Sequence, residues 1–408
     1  MDIYILPSKI ALKSSLSITG SKSESNRLLL LQAIYPELNL ENTSNSDDSV
    51  LMQSALKSKD ELIDIHHAGT AMRFLTAYFS IQEGRKTILT GSSRMKERPI
   101  KILVDALKYL GADIEYLENE GFPPLQIKGN QLIKSKVTLK ANVSSQYISA
   151  LLLIASRLKN GLELTLEGKM TSVPYIKMTL SLLEQLGIET SFKDNVIKVK
   201  SQTSLLNPQT VVVESDWSSV SYFYSIVALS DLGTEIILSS YKEKSLQGDS
   251  VLSDIYKQFG VTTNFSANRI TLQKSSIVNQ QASIHLDLSD APDIAQTITV
   301  TAFGLGWECY LTGLHTLKIK ETDRLVALKT ELEKLGAEIS ITEATLHLRS
   351  SNTINKDISI ATYNDHRMAM AFAPLGLKVP LHIQNAEVVS KSYPQFWDHL
   401  SRIGFLLK

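Results

Sequence analysis

Residues 320–324 read Lys-Glu-Thr-Asp-Arg, which crowds two cations and two carboxyl groups into five positions. If this stretch opens a helix, Lys320 and Arg324 stand one turn apart on one face, with Glu321 beside them and the free N–H groups of the first turn close by. Such a group suits a small polyanion together with one side chain that gives or takes a proton. The same residues suit a solvated helix start equally well, because acidic side chains favour the first turn and i,i+4 charge pairs are common on surfaces. The rest of the chain has to decide between the two.

The composition narrows the choice. The chain has 408 residues, 43% hydrophobic and 21% charged, with 42 Lys and Arg against 42 Asp and Glu. That length points to more than one core, and the balanced charge gives no global pull toward nucleic acid or membrane. Any cationic site must therefore be local. Cys309 is the one cysteine, which rules out an internal disulfide and a thiolate metal cluster and suits a reducing compartment. The opening Met1-Asp2-Ile3-Tyr4-Ile5-Leu6-Pro7 lacks a basic region and a long apolar run and reads as a strand rather than a signal. Apolar runs such as Ala150 to Ala155 are too short to span a bilayer. A cytoplasmic protein is expected.

A repeat supplies the elements that must position the charges. Leu110-Gly111-Ala112, Leu186-Gly187-Ile188, Phe259-Gly260-Val261, Leu335-Gly336-Ala337 and Ile403-Gly404-Phe405 recur at intervals of about 70 residues. An amphipathic helical pattern precedes each glycine, as in Leu325, Leu328, Leu332 and Leu335, so the glycine reads as a left-handed cap after the helix. A strand, turn and strand follow, with Asp194-Asn195 and Ala267-Asn268 as the turns. The last copy supplies one strand after its glycine, and Ile3 to Leu6 offers itself as the missing partner. With a degenerate first copy around residues 20–70, six α/β units are expected, three per domain. Domains of 16–214 and of 1–15 plus 215–408 follow, with the segment Val211 to Trp217 as the crossing.

Chemistry gathers where each repeat helix starts. Counting back from the glycines gives Arg98-Pro99, Ser172-Val173-Pro174, Gly248-Asp249, Lys320-Glu321 and Lys391-Ser392-Tyr393-Pro394. Proline at the first helical position is an ordinary start signal. Arg98, Lys320 and Lys391 are not, because the positive end of a helix mildly repels cations unless an anion neutralises them. Several such starts converging on one cleft would hold phosphate and carboxylate. Gly20 to Arg27 and His67 to Arg73 are two further glycine turns into helices. The first lacks the spacing of a nucleotide P-loop. The eight histidines lack metal-ligand spacing with carboxylates, so no metal is expected.

These motifs together resemble the 5-enolpyruvylshikimate-3-phosphate synthase family of enolpyruvyl transferases, nearly end to end. The resemblance rests on Gly20 to Arg27, Ala68 to Arg73, Arg94 to Ile100, Ser144-Ser145-Gln146, Pro292-Asp293, Lys320 to Arg324, Tyr363 to Met370 and Lys391. It implies an α/β fold of two similar domains, each of three βαβαββ units in an inside-out barrel, with helix N-termini facing an interdomain cleft. It implies transfer of the enolpyruvyl group of phosphoenolpyruvate to the 5-hydroxyl of shikimate 3-phosphate, with release of phosphate and with no metal or organic cofactor. Glu321 would be the acid toward the methylene carbon, Asp293 the base at the hydroxyl, and Lys22 the cation bridging both substrates. Gly69, Arg98, Gln146, Arg324, Arg367 and Lys391 would bind phosphoenolpyruvate. Ser23, Arg27, Ser144, Ser145, Ser172, Tyr175, Asp293, Thr316 and Lys320 would bind shikimate 3-phosphate. The implied partners are these small molecules alone, with no nucleic acid and no membrane, and the implied state is a monomer.

Some positions depart from the family pattern. Phe74 follows Arg73 where proline is common, which could shift the helix carrying Gly69 and Thr70, and Thr316 and His67 stand where asparagine is frequent. The rival readings are the sister transferase acting on a UDP-linked aminosugar and a non-catalytic binding protein of the same fold. The first typically carries a reactive cysteine on a mobile loop, whereas Cys309 reads as a strand residue. The second gains nothing from carboxylates beside phosphate.

Overall fold

The computed structural model describes residues 1–140, 144–168, 170, 173–202, 207–278 and 282–408. The chain divides into a continuous unit, Gly20–Val213, and a discontinuous unit, Met1–Thr19 with Glu214–Lys408. Residues 16–19 and Glu214 belong to the discontinuous unit, rather than to its neighbour as expected from the sequence, because the strand Lys13–Leu16 pairs in parallel with Glu235–Ser239 and Glu214 bonds Trp217, Lys242 and Ser245. Among the described residues no helix is long and apolar enough to cross a membrane.

Four sheets share one strand order. In the continuous unit, Leu62–Asp64 and Lys86–Thr90 run parallel, and the hairpin Asp113–Tyr116 and Leu125–Lys128 adds antiparallel to the second strand. Lys136–Lys140, Leu162–Glu167, Thr190–Lys193 and Val196–Val199 repeat that arrangement. The discontinuous unit repeats it twice more, once starting from Lys13–Leu16 and once from Ser283–Asp287. A helix follows each of the first two strands, giving βαβαββ. The degenerate copy keeps two parallel strands, Leu38–Glu41 and Gln209–Val212. In the final copy Ile3–Ile5 fills the hairpin position, antiparallel to Leu381–Ile383, and its far edge bonds the chain end through Tyr4 and Lys408.

The repeat glycines show why the pattern was visible. Gly111, Gly187, Gly260, Gly336 and Gly404 all have positive φ, between 76° and 121°, a region that a Cβ disfavours. The hairpin turns Asp194-Asn195 and Ala267-Asn268 also have positive φ at both residues, which matches the twist of the flanking strands.

The inner helix of each unit is buried nearly all round and lies in the core. In the continuous unit these are Lys22–Ile34, Gly69–Ser80 and Ser145–Ala155, which pack on one another. In the discontinuous unit they are Trp217–Leu229, Ala295–Leu305 and His366–Phe372, with the middle one touching both others. Their buried hydroxyls are satisfied within the bundle. Thr301 Oγ1 reaches Thr297 O at 2.7 Å and Ser225 Oγ at 2.8 Å, as buried polar groups require.

Candidate active site

The pentapeptide opens a helix, though not as its spacing suggested. The helix is Arg324–Lys334, and its N-cap is Asp323, whose carboxylate accepts from Leu325 N and Val326 N at 3.1 Å each. Lys320 therefore does not share a helical face with Arg324. It ends the preceding 3-10 turn His315–Ile319 as that turn's cap, because an N-cap aspartate needs a non-helical backbone before it. Two other starts also shift. The helix after Arg98-Pro99 begins at Lys101, so Arg98 sits on the segment leading in, and the helix after Lys391 begins at Phe396, so Lys391 ends the preceding 3-10 turn Ala386–Lys391.

Arg324 is nevertheless the hub of the discontinuous unit's cluster. Its guanidinium is 2% exposed and holds three carboxylates. Nη1 donates to Asp293 Oδ1 at 2.7 Å, Nη2 to Glu321 Oε2 at 2.7 Å, and Nε to Asp365 Oδ2 at 2.6 Å. Lys320 Nζ lies 3.3 Å from Asp293 Oδ1, and Arg367 Nη2 lies 3.3 Å from Asp293 Oδ2. Asp365 caps the inner helix His366–Phe372 by accepting from Arg367 N at 2.8 Å, so one fully buried carboxylate fixes both arginines.

Charge compensation sets the protonation states. Burial pushes the Asp293 carboxyl up, but Arg367, Lys320 and Arg324 outweigh it, with Glu321 opposing them. The net result lies well below the usual carboxylate range. For Arg324, burial works against the charge, and Asp365, Glu321 and Asp293 more than restore it. Six formal charges thus neutralise one another around one guanidinium.

Lys391 Nζ donates to Asn364 O at 2.6 Å. Tyr363 and Asn364 both have left-handed backbones, with φ of 53° and 56°. Tyr363 is tied down by its hydroxyl, 2.6 Å from Glu331 Oε1, and Glu331 is itself fully buried and accepts from Ala361 N at 3.1 Å. Thr316 Oγ1 is shielded from solvent and has no hydrogen-bond partner among the described residues.

The continuous unit holds a cluster of a different kind. Among the described residues Lys22, Arg27, Arg73 and Arg98 make no ion pair. Lys22 is the first residue of its inner helix, and Ser144 caps another, its hydroxyl accepting from Gln146 N at 3.3 Å. A Cβ at Gly69 would collide with the Arg98 guanidinium, so the absence of a side chain there makes room for Arg98. Arg73 braces this corner by donating to Gly69 O at 3.2 Å and Pro99 O at 3.0 Å. Gln146 Nε2 reaches Thr70 Oγ1 at 3.2 Å, joining the starts of two inner helices.

Arg27 is buried, and its named hydrogen bonds all go to neutral acceptors: Ser23 O, Thr179 Oγ1, Ser149 Oγ and Tyr175 O. Burial brings it down to about 10. Burial likewise brings Arg73 down to about 10, with the Arg98 charge second. Phe74 does not interrupt the helix Gly69–Ser80. It is fully buried, with Arg27 Cζ 5.4 Å from its ring centroid, and Tyr175 supplies a second ring at 5.9 Å. Ser145 follows Ser144 at its helix start. Ser172 lies outside the described residues.

The family described as EPSP synthase (3-phosphoshikimate 1-carboxyvinyltransferase) matches residues 37–400. A 3-phosphoshikimate 1-carboxyvinyltransferase of Bacteroides fragilis is 46% identical over 99% of this chain and 98% of its own length. The chain belongs to the EPSP synthase family. The corresponding protein of Histophilus somni is 34% identical over 95% of this chain and 96% of its own. At the level of fold, EPSP synthase from Acinetobacter baumannii superposes with a TM-score of 0.81 at 21% identity, covering 100% of this chain and 99% of that one. The enolpyruvyl transferase NikO from Streptomyces tendae gives 0.75 at 13%, covering 100% and 98%. The two-unit α/β architecture is therefore that of the EPSP synthases.

Sequence reasoning missed several contributors. Asp365 lay inside the motif Tyr363 to Met370 with nothing to mark it as the anchor of Arg324. Arg73 stood at the end of a motif without a role of its own, and Ser149 and Thr179 fell inside helices and carried no signal. Asp249 stood in the list of helix starts without a role.

Proposed function

We propose that this chain carries out the reaction of its family with the residues assembled above. The enolpyruvyl group of phosphoenolpyruvate passes to the 5-hydroxyl of shikimate 3-phosphate, giving 5-enolpyruvylshikimate 3-phosphate and phosphate. The observation that carries the residue assignment is the placement of Asp293 and Glu321 on one guanidinium, 2.7 Å from each.

Addition forms a bond from the 5-oxygen to the second carbon of phosphoenolpyruvate, while Glu321 delivers a proton to the methylene carbon and Asp293 accepts the hydroxyl proton. The resulting tetrahedral intermediate then loses phosphate and a proton from its new methyl group, which restores the double bond. In the free protein cations hold the Asp293 carboxyl ionised, and Arg324 pairs with Glu321. When the substrate carboxylate and phosphate take over Arg324, Arg367 and Lys391, Glu321 and Asp293 lose their counter-charges and their proton affinities climb. Glu321 then becomes able to carry the proton it must give, and Asp293 becomes a stronger base.

We assign Lys22 to both substrates and to stabilising the intermediate, and Gly69, Arg98 and Gln146 to phosphoenolpyruvate. Ser23, Arg27, Ser144, Ser145, Ser172, Tyr175, Thr316 and Lys320 go to shikimate 3-phosphate. Lys22, Arg27 and Arg98, which make no ion pair among the described residues, support this reading, because dianionic phosphate groups favour cations not already neutralised. We place the protein in the cytoplasm as a monomer, on its balanced charge and lone buried thiol.

Phosphate release from phosphoenolpyruvate by purified protein tests the assignment. Release is expected only with shikimate 3-phosphate. Release with UDP-N-acetylglucosamine instead, or with neither acceptor, would overturn it.

A further inference from the structure

Gly248-Asp249 occupies a helix start in the repeat but plays no part in the chemistry above. Asp249 lies in the 3-10 turn Gly248–Val251 and is 4% exposed. A set of hydrogen bonds bolts the segment before it onto the start of the inner helix Trp217–Leu229. Ser245 Oγ donates to Glu214 Oε2 at 2.7 Å. The Gln247 amide donates to Ser215 O at 2.9 Å and accepts from Trp217 N at 2.9 Å. Lys242 N adds a bond to Glu214 Oε1 at 2.9 Å.

This arrangement sets the Asp249 carboxylate against Ser218, whose hydroxyl donates to Asp249 Oδ2. Ser218 Oγ in turn accepts from Arg367 Nη2 at 3.4 Å. The same nitrogen faces Asp293 Oδ2 at 3.3 Å, and Nη1 donates to Asp293 O at 3.1 Å. A serine has one hydroxyl proton, and once that proton is committed to Asp249 only lone pairs remain for Arg367. The hydroxyl cannot rotate to point its proton at the guanidinium.

We propose that Asp249, acting through the Ser218 hydroxyl, is a positioning residue that fixes the plane of the Arg367 guanidinium for the phosphoenolpyruvate anion. The inference rests on the assignment of Arg367 to that substrate. The carboxyl's setting is consistent with a placed group rather than a stray one. Burial raises it to about 6, Asp293 adds to the rise, Arg367 and Ser218 oppose it, and Asp216 is the remaining carboxylate facing it.

Steady-state kinetics with both substrates varied test this in Ser218→Ala, Asp249→Ala, Asp249→Asn and the double variant Ser218→Ala/Asp249→Ala. Loss of one oriented hydrogen bond should raise KM for phosphoenolpyruvate about five- to tenfold. KM for shikimate 3-phosphate should stay within about twofold, with no loss of thermal stability. Asp249→Asn keeps an acceptor for Ser218 and should recover most of the effect. The double variant should be no worse than either single one, because the two act as one unit.

An equal rise in both KM values accompanied by a lower Tm, or an additive double variant, would overturn the proposal. Arg367→Ala separates the two levels of the argument. If it raises KM for phosphoenolpyruvate while the Ser218 and Asp249 variants match the parent, this inference alone fails. If it leaves that KM unchanged, the assignment of Arg367 fails and the inference falls with it.

Discussion

Glu321 Oε2 lies 2.7 Å from Arg324 Nη2, so the proposed proton donor is paired with a cation proposed to bind substrate. Binding and protonation are then linked, because a ligand carboxylate that takes Arg324 leaves Glu321 without its partner. Calorimetry in buffers of different ionisation enthalpy should detect this. With shikimate 3-phosphate present, a saturated phosphoenolpyruvate analogue is expected to bind with uptake of up to one proton. Glu321→Gln should abolish the uptake, retain binding and lower turnover by at least ~100-fold. Equal uptake in parent and variant would remove Glu321 from the acid role.

Asp249 makes a second prediction, through stability. Its folded pKa of about 6 lies above the ordinary value of 3.8. The stabilising effect of its protonated form is therefore complete below 3.8 and is lost as pH rises through 6. Asp249→Asn imitates the protonated carboxyl, so its advantage over the parent should grow from about pH 4 to pH 6 and level off above. The plateau is expected to be up to about 3 kcal/mol. Urea titrations at intervals from pH 4.5 to 8 would show it, and an advantage independent of pH would contradict it.

The turn at Tyr363-Asn364 predicts an unusual order of tolerance. Both residues have positive φ, and Asn364 O seats the Lys391 ammonium. Asn364→Gly should change stability by less than about 0.5 kcal/mol, whereas Asn364→Val should cost roughly 1–3 kcal/mol through backbone strain. Tyr363→Phe removes the bond to buried Glu331 and should cost about 1.5–3 kcal/mol. Denaturant midpoints rank the three, and a valine variant as stable as the glycine one would count against the strain argument.

Cys309 separates this chain from a transferase that works through a reactive thiol. It is fully buried on the strand Glu308–Thr312, and burial pushes its thiol up to about 12. Iodoacetamide at pH 8 should therefore leave activity intact and label the residue only after unfolding. Rapid inactivation of native protein would show that the thiol is accessible after all.

What the sequence made legible depended on backbone demands. The repeat glycines stood out because their left-handed conformation excludes most side chains, and Asp194-Asn195 stood out for a related reason. Asp323 could be read as a cap from its place before an apolar-periodic run. The Arg324 cluster could not be read in detail, because Asp293, Glu321 and Asp365 meet only after three helices pack. The placement of Lys320 was misjudged because a charge at i,i+4 spacing looks the same whether the N-cap lies before or after it. The contact between Asp249 and Ser218 depends on how the segment 245–249 is fastened to Glu214, Ser215 and Trp217, and no local pattern encodes that.

The strand Ile3–Ile5 has a consequence for the order of events on the ribosome. Its partners are Leu381–Ile383 and the last residues of the chain, and the Met1 ammonium meets Glu387, 386 positions away. The continuous unit is fully translated long before those partners emerge and is free to mature first. The opening segment must stay unpaired until residues 381–408 have been made, so the discontinuous unit closes well after its neighbour can.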